Sequence, residues 1–146
     1  MSRREQAGRA TAGPLSISYS TEGRGHCSKT VLHPEVSIVI PSYNQAPYLR
    51  EAIESALTQD GVTVEAIVVD GGSNDGSAKI VSEYEARLAR VRVGPDGGQT
   101  EAINWGLSVA RGELLTFLNS DDVLLPFAAE RAWTASKKRT SDDIFF

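Results

Sequence analysis

The sequence predicts an α/β domain built on an open, mainly parallel sheet with helices flanking it. Three observations carry that expectation. Short β-branched or apolar runs at Val36–Ile40, Val64–Val69, Val91–Val93 and Leu114–Leu118 alternate with segments whose apolar residues recur at helical spacing. Such alternation is the pattern of crossover units around a parallel sheet, with right-handed connections. Each run also ends in a polar or glycine-rich cluster: PSYN, DGGSNDG, PDGG and NSDD. In an open parallel sheet those clusters share the edge where the carboxyl ends of the strands lie, which is where ligands bind.

The elements follow in order. Residues 1–34 are rich in Gly, Ser, Thr and Arg and lack a sustained apolar period, so they read as a disordered segment. Leu15, Ile17 and Tyr19 alternate briefly, as a short edge strand would. Val36–Ile40 is the first strand, and Pro41 is expected to stop it. Pro47 suits a helix's first turn. Leu49, Ile53, Ala56 and Leu57 then mark one helix face, and Asp60-Gly61 ends it.

Val64–Val69 is a second buried strand that finishes at Asp70. A second helix turns Ile80, Val81, Tyr84 and Leu88 inward, and Val91–Val93 is a short third strand. A third helix starts near Thr100, with Glu101 favourable in its first turn. Its inward face is Ala102, Ile103, Leu107 and Ala110, and Gly112 is expected to stop it. Leu114–Leu118 reads as a buried fourth strand, and Pro126 opens a last helix. The domain spans 35–139, and 140–146 is an irregular tail.

Composition excludes several classes. The 146 residues are 40% apolar and 23% charged, ordinary values for one globular domain. No run approaches the roughly 20 apolar residues of a membrane span. The first 34 residues hold five Lys/Arg and two Asp/Glu, leaving ten against 17 for the rest. An acidic body argues against a nucleic-acid groove. His26, His33 and Cys27 all precede Glu35, so the domain proper has no His or Cys. Imidazole- and thiol-based catalysis is thereby excluded there, as are zinc sites built on His or Cys. The single Cys27 fits a reducing compartment, and a cytoplasmic place, at most peripheral to the membrane, is expected.

Chemistry concentrates at Asn119, Ser120, Asp121 and Asp122. Adjacent carboxylates at a strand end are costly without a cation. Hard oxygens suit Mg²⁺ or Mn²⁺, which complete their shells with substrate phosphates. A solvated turn is the bland reading of Asp121 and Asp122, and the convergence of the clusters on one edge favours a metal instead. The sheet is Rossmann-like, yet GxGxxG and GxxxxGK[ST] are both absent and no Lys lies in the four clusters, which disfavours a dinucleotide on a Rossmann fingerprint. A diphosphate there needs a metal to neutralise it. Asp70 is either a turn cap or an acceptor for a base N–H or ribose hydroxyl. Tyr43 is either core packing or a stacking platform. Asn104 and Trp105 read as structural.

VSIVIPSYN, SALTQ, EAIVVDGGSNDGS, PDGGQTEAINWGLSVARGE and LLTFLNSDD, in this order, resemble the N-terminal half of a family 2 glycosyltransferase of GT-A fold. The resemblance covers about residues 35–130. It implies that Pro41 and Tyr43 line a base pocket and that Asp70 accepts from the base. It further implies that Asp96 and Gly97 border the sugar-diphosphate. Asp121 would bind the metal, with Asp122 assisting. The donor would be a UDP-, dTDP- or GDP-sugar and the transfer inverting.

The sequence departs from that family at Asn119, where a carboxylate is usual, and at Ile103, where an Arg is common. TASKKRTSDDIFF does not match an acceptor-binding half, so no general base is assigned. A partial or frame-shifted gene and self-association through uncovered sheet surface are expected. The residues also leave open a non-catalytic receiver- or flavodoxin-like module, with Asp70 as phospho-acceptor or the loops around a flavin.

Overall fold

The computed structural model describes residues 33–138. The expected disorder before His33, the alternation at Leu15, Ile17 and Tyr19, and the tail 140–146 lie outside those residues. The elements are β1 (Val36–Ser42), α1 (Ala46–Leu57), β2 (Val64–Asp70), α2 (Ser77–Tyr84), β3 (Arg90–Val93), α3 (Gln99–Val109), β4 (Leu114–Phe117) and α4 (Ala128–Lys137). A 3₁₀ turn, Glu85–Arg87, extends α2.

The sheet is four-stranded and parallel, in the order β3-β2-β1-β4. Side chains alternate across it, so each face has its own core. Val36, Ile38, Ile40, Ala66 and Val68 pack with α1, α2 and Ala129 of α4 on one face. Val39, Ile67 and Val69 meet Ala102 of α3 on the other. Ile38, Ile40, Leu49, Ile53 and Ile67 are fully buried. Each such burial stabilises the fold by about 1.5–3 kcal/mol.

Two close approaches fix α3 and β4. A Cβ on Gly106 would lie 2.4 Å from Val39 Cγ1, so the helix sits against β1 with no room for a side chain. Gly112 was expected to stop α3. Instead α3 ends at Val109, the chain turns to extended backbone at Ala110, and Gly112 lies against β1, where a Cβ would meet Ser37 N at 2.6 Å. Its N–H donates to Ser37 Oγ, which donates to the buried Glu65 carboxylate. Glu65 also accepts the Arg111 N–H and so anchors the entry to β4.

Pro41 does not stop β1. It lies inside the strand, opposite Val69. Val36 N and Ser42 O point toward β2, and Val39 O points toward β4. By alternation the missing N–H of Pro41 also faces the β4 side, beyond the last paired residue, Phe117. Proline therefore ends the β1–β4 ladder while leaving the β1–β2 ladder intact.

The fourth strand is not the buried one expected. It is an edge strand, and Leu115 and Phe117 are 45% and 50% exposed. The apolar run promised burial, but among the described residues nothing pairs with its outer side.

Tyr84 joins α1 to α2. The guanidinium groups of Arg50 and Arg87 lie 5.5 and 5.6 Å from its ring centroid. Each is also paired, with Glu83 and Glu54 respectively. These partners hold both carboxyls below the ordinary carboxylate value of 4.5.

Candidate functional site

The carboxyl ends of the four strands surround a cleft of about 740 Å³. It is lined by Pro41–Tyr43 from β1 and its loop, Gly71 after β2, Asp96 and Gln99 around the start of α3, and Asn119–Asp121 after β4. Strand order reverses between β1 and β4, and a crevice of this kind is the general ligand position in open parallel sheets.

The loop after β1 is stitched to the loop after β2. Asn44, at φ 53°, donates its N–H to Ser73 Oγ at 2.8 Å, and Asn74 returns an N–H to Asn44 Oδ1 at 3.0 Å. Ala46 N donates to Asp75 Oδ2 at 2.8 Å. Ser77 donates both its N–H and its hydroxyl to Asp75 Oδ1. The Ala46 bond first, then the Ser77 hydroxyl, hold the Asp75 carboxyl below its ordinary 3.8. The sequence reading missed this role. A carboxylate two residues before a helix-starting Ser was the available signal.

Asp70 lies under the cleft and not on its surface. It is fully buried, and Oδ1 accepts from Gly72 N at 3.1 Å and Ser73 N at 2.9 Å. Oδ2 accepts from the Ser73 hydroxyl at 2.6 Å. The turn it holds meets the PDGG loop directly, since a Cβ on Gly72 would lie 3.1 Å from Pro95 N. Tyr43 is 63% exposed at the cleft rim and so is not core packing.

Asp96 lines the cleft beside Gly71 and accepts the Gly98 N–H at 2.9 Å. Gly97 donates its N–H to Glu101 Oε2, and Glu101 also pairs with Arg92. Gly97 shapes this loop without lining the cleft.

After β4, Asn119 accepts from Gln99 Nε2 at 2.8 Å and donates from Nδ2 to Asp122 Oδ2 at 3.0 Å. Asp121 lines the cleft, whereas Asp122 does not. Of the expected site residues, the fold thus gathers Pro41, Tyr43, Asp96 and Asp121 around one space. Asp70, Gly97 and Asp122 stand behind it.

Ser42 was overlooked as well. Its hydroxyl is buried at the cleft without a hydrogen-bond partner among the described residues. Among the described residues no Lys or Arg lines the cleft, so an anion entering it meets none of their cations. Asp121 offers a hard oxygen, the donor chemistry that suits a divalent ion. Among the described residues no group of three or more His, Cys, Asp or Glu forms a preassembled metal cage. A metal held here would depend on ligand phosphates for the rest of its shell.

The family model described as Glycosyl transferase family 2 matches residues 37–145. The chain belongs to this family. Glycosyltransferase GlyG of Streptococcus pneumoniae is 36% identical over 110 residues, covering 73% of this chain and 36% of that protein. Among solved structures, S. aureus TarS 1–349 in complex with UDP-GlcNAc superposes with a TM-score of 0.64 at 29% identity. The likeness covers 71% of this chain and 31% of that one. The mannosyltransferase PcManGT of Pyrobaculum calidifontis, in complex with GDP-Man and Mn²⁺, gives 0.60 at 27% identity, over 73% of this chain and 32% of that one. The chain therefore spans about a third of the length of these proteins.

Family 2 membership and the GT-A neighbours turn the resemblance read from the motifs into a finding, and the match runs past residue 130. The receiver- or flavodoxin-like alternative is not favoured. Its phospho-acceptor would be Asp70, whose carboxylate is buried and bonded on both oxygens. No helix among the described residues is long and apolar enough to cross a membrane.

Proposed function

We propose that the chain forms the nucleotide-sugar-binding half of an inverting glycosyltransferase. The donor is a UDP-, dTDP- or GDP-sugar, and the acceptor is a hydroxyl. The observation that carries this reading is a cleft at the strand ends of a family 2 chain, lined by Asp121 and, among the described residues, by no Lys or Arg.

Each residue has a part set by its position. Tyr43, exposed at the rim, stacks on the base beside Pro41. Asp70 serves the nucleotide by holding the turn at Gly71. Asp96 and Gly97 shape the border of the sugar-diphosphate. Asp121 holds Mg²⁺ or Mn²⁺, with Asp122 behind it. Bound there, the ion supplies charge stabilisation for the departing nucleoside diphosphate. The general base that would deprotonate the acceptor is not assigned to any described residue.

We place the chain in the cytoplasm, peripheral to the membrane at most. The exposed Leu115 and Phe117 edge gives it a surface for self-association. Calorimetric titration with UDP, dTDP and GDP, each with MnCl₂, tests the reading. One of them is expected to bind with a 1:1 stoichiometry. A chain that binds none would contradict it.

A further inference from the structure

The loop that carries Asp121 receives little support from the sheet. Ahead of it, Leu118 N donates to Val39 O at 2.8 Å. Behind it, Leu124 N donates to Ser55 Oγ at 3.1 Å. Between them the ladder cannot continue, because Pro41 has no N–H to give. Beyond a turn bond from Asp122 N to Asn119 O, a chain of side-chain amides holds the loop instead. Gln99, the first residue of α3, donates to Asn119 Oδ1, and Asn119 Nδ2 donates to Asp122 Oδ2.

We propose that Gln99 is a positioning residue for the metal loop, acting through Asn119. The inference rests on the metal-nucleotide reading above and extends it to residues outside the ion's own contacts. An amide at 119 accepts on one side and donates on the other. A carboxylate there could only accept, and its charge would face that of Asp122. The departure at Asn119 thus has a physical purpose. It occupies one carboxylate, Asp122, and leaves its neighbour Asp121 turned to the cleft lining. Because Gln99 also follows the Asp96-Gly97-Gly98 loop, the relay couples the sugar-diphosphate border to the metal loop.

The test uses this chain, MnCl₂ and whichever of UDP or GDP binds more tightly. Affinity is read by calorimetry and bound Mn²⁺ by electron paramagnetic resonance. Gln99→Met keeps the length but removes the donor, and it is expected to weaken Mn²⁺-dependent binding about five- to tenfold. Asn119→Ala should lose at least as much, and the double variant no more than Asn119→Ala alone. Melting without metal should stay within about 2 °C of wild type. If Gln99→Met does not fold, Gln99→Glu, which cannot donate to Asn119 when ionised, is expected to show the same loss.

Wild-type affinity in a folded Gln99 variant would overturn the positioning role alone. So would losses that multiply in the double variant. A wild-type chain without Mn²⁺-dependent diphosphate binding would overturn both this role and the reading beneath it.

Discussion

Asp75 Oδ2 accepts the backbone N–H of Ala46 at 2.8 Å and so joins the loop after β2 to the first residue of α1. The same carboxylate takes both donors of Ser77. One ionised side chain thus sets the spacing of two loops on the cleft rim.

That bond gives a pH dependence. The Asp75 carboxyl is held below 3.8, so its stabilisation is fully present above that value. It is lost as pH falls through the depressed folded value. Asp75→Asn should lower the melting temperature near neutral pH and make its decline in acid shallower. Glu54 and Glu83, also depressed, keep the decline from vanishing. Melting curves from pH 7 down to pH 3 check this, and parallel wild-type and variant profiles would contradict it.

Gly106 faces Val39 across a gap that holds no Cβ. Gly106→Ala is expected to destabilise the chain by about 1–3 kcal/mol, the usual range for overpacking. Adding Val39→Ala, which removes the clashing methyls, should recover part of that loss. Urea unfolding of the single and double variants measures both. Additive losses would mean that the contact is not the cause.

Asp70→Ala removes the acceptor for two N–H groups and a hydroxyl in the turn under the cleft. The expected cost is about 2–3 kcal/mol of folding stability, with weaker nucleotide binding alongside it. A direct bond to the base would instead lower affinity and leave stability alone. Urea unfolding and calorimetry on the same variant distinguish the two.

Much of this fold was legible because hydrophobic period and loop chemistry agree. Val64–Val69 and the Leu49, Ile53, Ala56 face carry their own signatures, and both appear as read. The misreadings share one cause: each depended on a neighbour that local sequence cannot name. Pro41 continues β1 because its missing N–H faces the β4 side and leaves the pairing with β2 intact. Gly112 answers to Ser37, which precedes it by 75 residues, and not to the helix before it. Leu114–Phe117 looks buried by composition, yet it occupies an edge. At the strand ends, residues from all four clusters do meet around one cleft. Side-chain partnerships such as Gln99 with Asn119 were invisible until the topology brought them together.

The metal is the centre of the functional proposal. A nucleoside diphosphate entering a cleft lined by Asp96 and Asp121 and, among the described residues, by no Lys or Arg, meets like charge. A divalent ion at Asp121 reverses that sign. Asp121→Asn should therefore remove most of the metal dependence. Asp122→Asn should have a smaller effect, because that carboxylate is engaged by Asn119.

The most direct measurement is calorimetric titration of the chain with UDP or GDP, in MnCl₂ and in chelator, on wild type and on Asp121→Asn. Binding is expected in Mn²⁺ only, weakened in the variant to near the chelator level. Equal affinity in Mn²⁺ and in chelator would contradict a metal at Asp121.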